Sequence, residues 1–137
     1  MNTLAAFRSL LLSISAVTSL VSSRVYGVRV PGAKELFPCV LLRRVGGGSA
    51  SANDEEAPLH NVTIDVRCYG ADQPAAQSVA SAISGAVNSI GPVVAGGYRF
   101  TRIIELIGPQ DVLDEITEGE SWDAVFMSYR VTVEAVS

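Results

Sequence analysis

The sharpest alternation of apolar and polar positions lies at 61–90, where a strand pattern turns abruptly into a helix pattern. Val62, Ile64, Val66 and Cys68 point one way, and Thr63, Asp65, Arg67 and Tyr69 the other. A period of two marks a half-buried strand. Gly70 and Asp72 break it. Beyond them Ala76, Val79, Ala80, Ile83, Val87 and Ile90 recur on one helical stripe. Asp72 is placed to cap that helix, Pro74 is tolerated in its first turn, and Gly91-Pro92 stops it. The C-terminal stretch alternates again. Val125, Met127, Tyr129, Val131 and Val133 form one face, while Phe126, Ser128, Arg130, Thr132 and Glu134 form the other. A long, regular strand of this kind is expected near the centre of a sheet.

The other elements are shorter. Leu4, Phe7, Leu11 and Ile14 fit one helical stripe, and Leu20 with Val21 suits a short second helix. This apolar segment, with Arg8 ahead of it, could pass for an export signal, but serines dilute it and it is too polar to span a bilayer. An amphipathic helix capping the sheet is expected instead, with a cytoplasmic origin. Residues 24–30 read as a strand ended by Pro31-Gly32. Residues 37–45 read as a second, with Pro38 near its start, where a missing N–H is tolerated. Residues 98–107 read as a strand ended by Gly108-Pro109, after a turn of sequence VVAGG. Two stretches read as loops: a mobile, glycine-rich one at 46–60, and an acidic one at 108–123 with a helical turn around 112–116. The fold class expected is α+β. It is one compact domain, 1–137, with a mostly antiparallel sheet of four to five strands packed by an N-terminal helix and an Ala-rich helix.

Composition narrows the function. At 137 residues, 48% hydrophobic and 18% charged, the chain suits a single domain with a real core and not global disorder. A net charge of −4 argues against a nucleic-acid grip, which calls for a basic excess. Seven carboxylates lie between Glu105 and Asp123, with no Lys or Arg among them, which makes this segment locally negative. Cys39 and Cys68 are the two cysteines and read as small, reduced core residues. With a single histidine, His60, and no Cys-x-x-Cys, no metal site is expected.

No catalytic constellation emerges. His60 adjoins the glycine-rich loop, without a nucleophile to serve. Asp111, Asp114 and Glu115 suit paired carboxylates for acid–base work, but such a run more often forms a solvated face. The three glycines at 46–48 lack the Lys-Ser/Thr and the helix start of a phosphate loop. No enzyme activity and no cofactor are expected. The polar strand faces remain. Asp65, Arg67, Arg130 and Glu134 occupy outward positions, with Arg43 or Arg44 joining them, and Tyr69 and Phe126 adding apolar area. Two readings stay open: a solvated face with cross-strand charge pairs, or a subunit interface in which charges set register.

The order of elements resembles the tail-terminator or tail-completion proteins of long-tailed bacteriophages. The resemblance lies in three blocks. In the first, Arg24, Val25, Tyr26, Phe37, Pro38, Arg43 and Arg44 match an Arg-hydrophobic-Tyr step followed by a Pro-preceded strand with basic residues. In the second, Asp65, Arg67, Tyr69, Ala75, Ala76, Ala80 and Ile83 match a strand, turn and Ala-rich helix. The third is the C-terminal strand FMSYRVTVEA. The resemblance covers most of the chain but not the loops at 46–60 and 108–123.

It implies a structural, non-enzymatic virion protein, assembled in the bacterial host cytoplasm. In such a family the chain forms a homohexameric ring at the head-proximal end of the tail tube. The ring ends tube growth and docks to the head–tail connector or stopper. Its expected partners are itself, the tail tube protein and the connector or stopper, with DNA only as passing cargo and no membrane. Interface candidates are Arg43, Arg44, Asp65, Arg67, Arg130 and Glu134. Candidates for the lumen or a docking loop are Asp54, Glu55, Glu56, Asp111, Asp114 and Glu115. Acids near a channel would repel passing DNA, and the loop at 46–60 is expected to order when the ring forms. Another neck component and a small dimeric ligand-binding module are the alternatives.

Overall fold

A computed structural model of the chain describes residues 3–27, 37–49, 59–117 and 120–136. Three helices and six strands follow in the order α1 (Thr3–Leu12), α2 (Ser15–Val21), β1 (Val25–Gly27), β2 (Cys39–Ser49), β3 (Leu59–Tyr69), α3 (Gln73–Val87), β4 (Val93–Ala95), β5 (Tyr98–Thr117) and β6 (Glu120–Ala135). The strands form one sheet in the order β1-β2-β3-β6-β5-β4. All pairs are antiparallel except β1 with β2. The α+β architecture and the central C-terminal strand are as expected, but the sheet has six strands where four to five were expected.

One face of the sheet carries the core. The inward set of β3 (Val62, Ile64, Val66, Cys68) meets that of β6 (Val125, Met127, Tyr129, Val131, Val133), and all of them are buried. The helices cover this face with complementary stripes: Phe7, Leu10 and Leu11 from α1, Val17 and Val21 from α2, and Ala76, Val79, Ala80, Ile83 and Val87 from α3. Phe7 is the hub, its ring 6.2 Å from Phe100 and 6.4 Å from Tyr129. Those separations are typical of favourable aromatic pairs. Fully burying such side chains stabilises the fold by roughly 1.5–3 kcal/mol each. The N-terminal segment is therefore a layer of the domain. Among the described residues, no single helix is long and apolar enough to cross a membrane.

Local chemistry fixes the joints. Asp72 caps α3 by accepting from the Ala75 N–H at 2.9 Å. The segment read as a VVAGG turn is strand β4 plus a two-residue hairpin. Gly96 and Gly97 both have positive φ, 59° and 83°, as a hairpin turn matched to strand twist requires. Arg24 ties the end of α2 to the start of β2, donating to the carbonyls of Pro38 at 2.9 Å and Leu20 at 3.5 Å.

Both segments read as loops begin as strand. Gly46, Gly47, Gly48 and Ser49 pair with Thr63, Val62, Asn61 and His60 after a bulge that follows Arg44. Glycine weakens a strand, but the ladder offered by β3 overrides local preference. Residues 50–58, which include Asp54, Glu55 and Glu56, lie outside the described residues. The acidic segment is likewise a long hairpin arm. β5 continues to Thr117, and β6 begins at Glu120. The expected helical turn at 112–116 is strand, paired from Val112↔Ala124 to Glu115↔Ser121. The register shifts near Phe100, Glu105, Ile107 and Glu115 hid its period from inspection, because each bulge resets the alternation.

Candidate functional site

The face of the sheet away from the helices is built as cross-strand rows. Ile107, Ser128, Asp65 and Arg43 form one, across β5, β6, β3 and β2. Gln110, Phe126, Arg67 and Leu41 form the next, and Val112, Ala124, Tyr69 and Cys39 the one beyond. On the other side, Arg130 stands between Ile104 and Thr63. Arg43, Asp65, Arg67 and Arg130 therefore share one surface. Arg44 does not join them. It lies opposite Ile64, so its strand position faces the helix side, where it is exposed. Glu134 is on the shared face but is held by Arg99 at 3.1 Å.

This face has two characters. At one end Cys39, Leu41, Tyr69 and Ala124 form a second, small buried cluster with Tyr26, Phe37 and Val112 packed on it. The ring of Phe37 stacks on Tyr69 at 5.8 Å and 14°. Tyr69 thus belongs to a packed layer and does not add apolar area to an open surface as expected. Burial pushes the Cys39 thiol up to about 11, offset in part by Arg24. Cys68, buried on the opposite face and one register step away, is raised further, by burial first and then by Cys39. Both thiols are free. Beside this cluster, Leu41, Arg43, Asp65, Arg67 and Tyr69 line an open concavity of about 330 Å³. The Arg67 guanidinium sits 5.2 Å from the centre of the Phe126 ring, a cation–π contact of about 0.5–1 kcal/mol. Arg43 and Arg130 are exposed and make no ion pair among the described residues.

The second feature is the arm. β3 ends opposite Ala124, so from Trp122 outward β6 pairs only with β5 among the described residues. Its base is fastened to the β3–α3 turn and to α3. The Gly70 N–H donates to the Asp123 carbonyl at 3.3 Å, and Gln73 Nε2 to the Ala124 carbonyl at 3.0 Å. One helical turn further, Gln77 Nε2 lies 3.1 Å from each carboxylate oxygen of Asp111. A third tie joins Glu105 to α3. Its carboxylate accepts from Ser84 Oγ and Asn88 Nδ2, each at 3.0 Å, and from the Tyr129 hydroxyl at 3.2 Å. Burial, with the neighbouring Glu105, pushes the Tyr129 phenol well above its ordinary range.

Of the acidic candidates, Asp111 is thus an anchor on the helix side, while Asp114 and Glu115 lie further out on the arm. Gln73, Gln77 and Glu105 were not singled out in the sequence. The one signal available was the Gln73–Gln77 spacing, which puts two amides on the same helix face.

Among the described residues, no group of His, Cys, Asp and Glu is arranged to hold a metal ion. The family model of tail completion protein gp17 matches residues 5–134, and the chain belongs to that family of structural phage tail proteins. Two solved structures share the fold. One is a chain of the virion of a native gene transfer agent particle, 23% identical, with a TM-score of 0.57 over 96% of this chain and 93% of that one. The other is bacteriophage SPP1 gp17, 15% identical, with a TM-score of 0.50 over 98% and 90%. No curated protein sequence matches the chain.

Proposed function

We propose that this chain ends a phage-type tail. It forms a homohexameric ring on the head-proximal end of the tail tube, stops further addition of tube subunits, and presents the completed tail to the head–tail connector or stopper. The reading rests on membership of the tail completion family over residues 5–134. The physical layout supports it. A closed ring of identical subunits needs two different patches per copy. The arginine-bearing sheet face and the hairpin formed by the ends of β5 and β6 are two such patches on one sheet. DNA passes through as cargo, and the net charge of −4 disfavours its sticking. Assembly takes place in the host cytoplasm, and no catalytic step is involved.

Tail length tests the reading. Tube and tail proteins assembled with this chain should give tails of uniform length under the electron microscope. Without it, tubes should run on past that length. Uniform tails that merely fail to join heads would contradict termination and point to a connector or stopper. A stable dimer indifferent to tubes would point to a ligand-binding module.

A further inference from the structure

We infer that Arg8 guards the free edge of the sheet: its guanidinium occupies the side of β1 where a further strand would otherwise add. β1 ends the sheet and pairs with β2 alone among the described residues. The Arg24 carbonyl accepts from the Val40 N–H at 2.9 Å, so it faces β2. Successive carbonyls of a strand point to opposite sides, which turns that of Val25 toward the free side. Arg8 takes it. Its Nε donates to the Val25 carbonyl at 2.6 Å, and its Nη2 to the Ser23 carbonyl at 3.3 Å. The Val25 N–H is engaged as well, with the Ser23 carbonyl at 2.8 Å. An added strand would have to displace a charged fork that bonds two carbonyls at once, and to desolvate it.

The edge needs a guard because β1 brings none of its own. Sheet edges are blunted by bulges, prolines, charged side chains or a covering element. Val25-Tyr26-Gly27 has no charge, no proline and no bulge against β2, and Val and Tyr favour strands. Helix α1 lies over the sheet face and not beside this strand. Val25 is buried in the core beneath the helices, and a Cβ at Gly27 would meet Leu4 Cδ2 at 3.3 Å. The buried Phe7, Leu10 and Leu11 fix α1 there, with Arg8 reaching round to the edge. The far side of the sheet is protected differently. β4 is three residues long, β5 beyond it carries repeated bulges with Pro109 in one of them, and α3 grips Glu105 and Asp111. At β1, among the described residues, protection rests on one side chain. The strand excluded is the β1 of a second copy, which carries the same apolar sequence. Arg8 thereby keeps copies from pairing edge to edge about a two-fold axis, whether or not they close into a ring.

The full chain is compared with Arg8→Met, which keeps the stem and loses every donor, and with Arg8→Met combined with Gly27→Pro. The Gly27 N–H faces the free side by the same alternation, so proline there removes no bond to β2. Sedimentation reads the mass of each, and hydrogen-exchange mass spectrometry is run over a range of protein concentrations. Exchange across 24–27 should not depend on concentration in the wild-type chain. In Arg8→Met it should slow as concentration rises, as the wild-type species give way to pairs of themselves. Adding Gly27→Pro should restore the wild-type mass and the concentration-independent exchange. Arg8→Met that keeps wild-type mass and exchange at every concentration would overturn the inference. So would association that protects segments other than β1, or that persists with Gly27→Pro. Where Arg8→Met lacks native near-ultraviolet circular dichroism, Arg8→Gln, too short to bridge both carbonyls, is judged by the same outcomes.

Discussion

Gln77 on α3 and Asp111 on β5 meet through both carboxylate oxygens, each 3.1 Å from the amide nitrogen, at the base of the hairpin arm. The contact is solvent-exposed, so its effect on overall stability is expected to be small, and its consequence is directional. It sets where the arm leaves the sheet.

Replacing Gln77 with Ala should lower the stability of the whole domain by no more than about 1 kcal/mol. Amide exchange along 110–117 should nevertheless quicken markedly, while exchange in β3 stays slow, because the arm opens locally and the core does not. Hydrogen-exchange mass spectrometry reads both quantities at once.

Glu105 is the stronger tie, since three donors converge on it from α3 and β6. Glu105→Ala removes the carboxylate that accepts from the half-buried Ser84 and leaves the buried Tyr129 hydroxyl with only the weak Met127 sulfur acceptor at 3.4 Å. The expected loss is about 1–3 kcal/mol, measured as a lowered urea midpoint with an unchanged slope. Tyr129→Phe removes donor and buried hydroxyl together and should cost less.

The hairpin glycines should differ. A Cβ at Gly96 would lie 2.7 Å from Ala6 Cα, in addition to the positive φ of 59°. At Gly97 only the φ of 83° is unfavourable, because a Cβ there meets nothing within 4 Å. Gly97→Ala should cost about 1 kcal/mol. Gly96→Ala should cost clearly more and loosen the packing of α1 on β4. Thermal melts of the two variants make the comparison.

The alternating segments of β3 and β6 and the stripe of α3 were legible because each element has one apolar face with an uninterrupted period. The arm was not, for the opposite reason. Register shifts between Glu105 and Ile107 and between Ile107 and Gln110, the second at Gly108-Pro109, scramble the alternation, and six acids give the stretch a loop-like composition. Of the interface candidates, Asp65, Arg67 and Arg130 fell on one face as their period implied. Arg43 and Arg44 could be told apart only by register with Asp65 and Ile64. The burial of Tyr69 depends on Phe37, more than thirty residues away in sequence, which no local pattern reports.

Alkaline pH should weaken the fold. Burial raises the Cys39 thiol from 9.0 to about 11, and Cys68 and Tyr129 are also raised. Between the ordinary and the raised values the unfolded chain has already lost protons that the folded chain retains. Stability therefore falls as pH rises, starting near 9. The urea midpoint should drop between pH 8.5 and 10.5, and the drop should be shallower in Cys39→Ala.

The central claim is that this chain closes a tail as a ring. Native mass spectrometry of the purified full-length protein, alone and after incubation with tail tubes, tests it most directly. The account predicts a hexamer, in solution or released from tube ends, with none along the tube wall. A dimer or monomer that ignores tubes would contradict it.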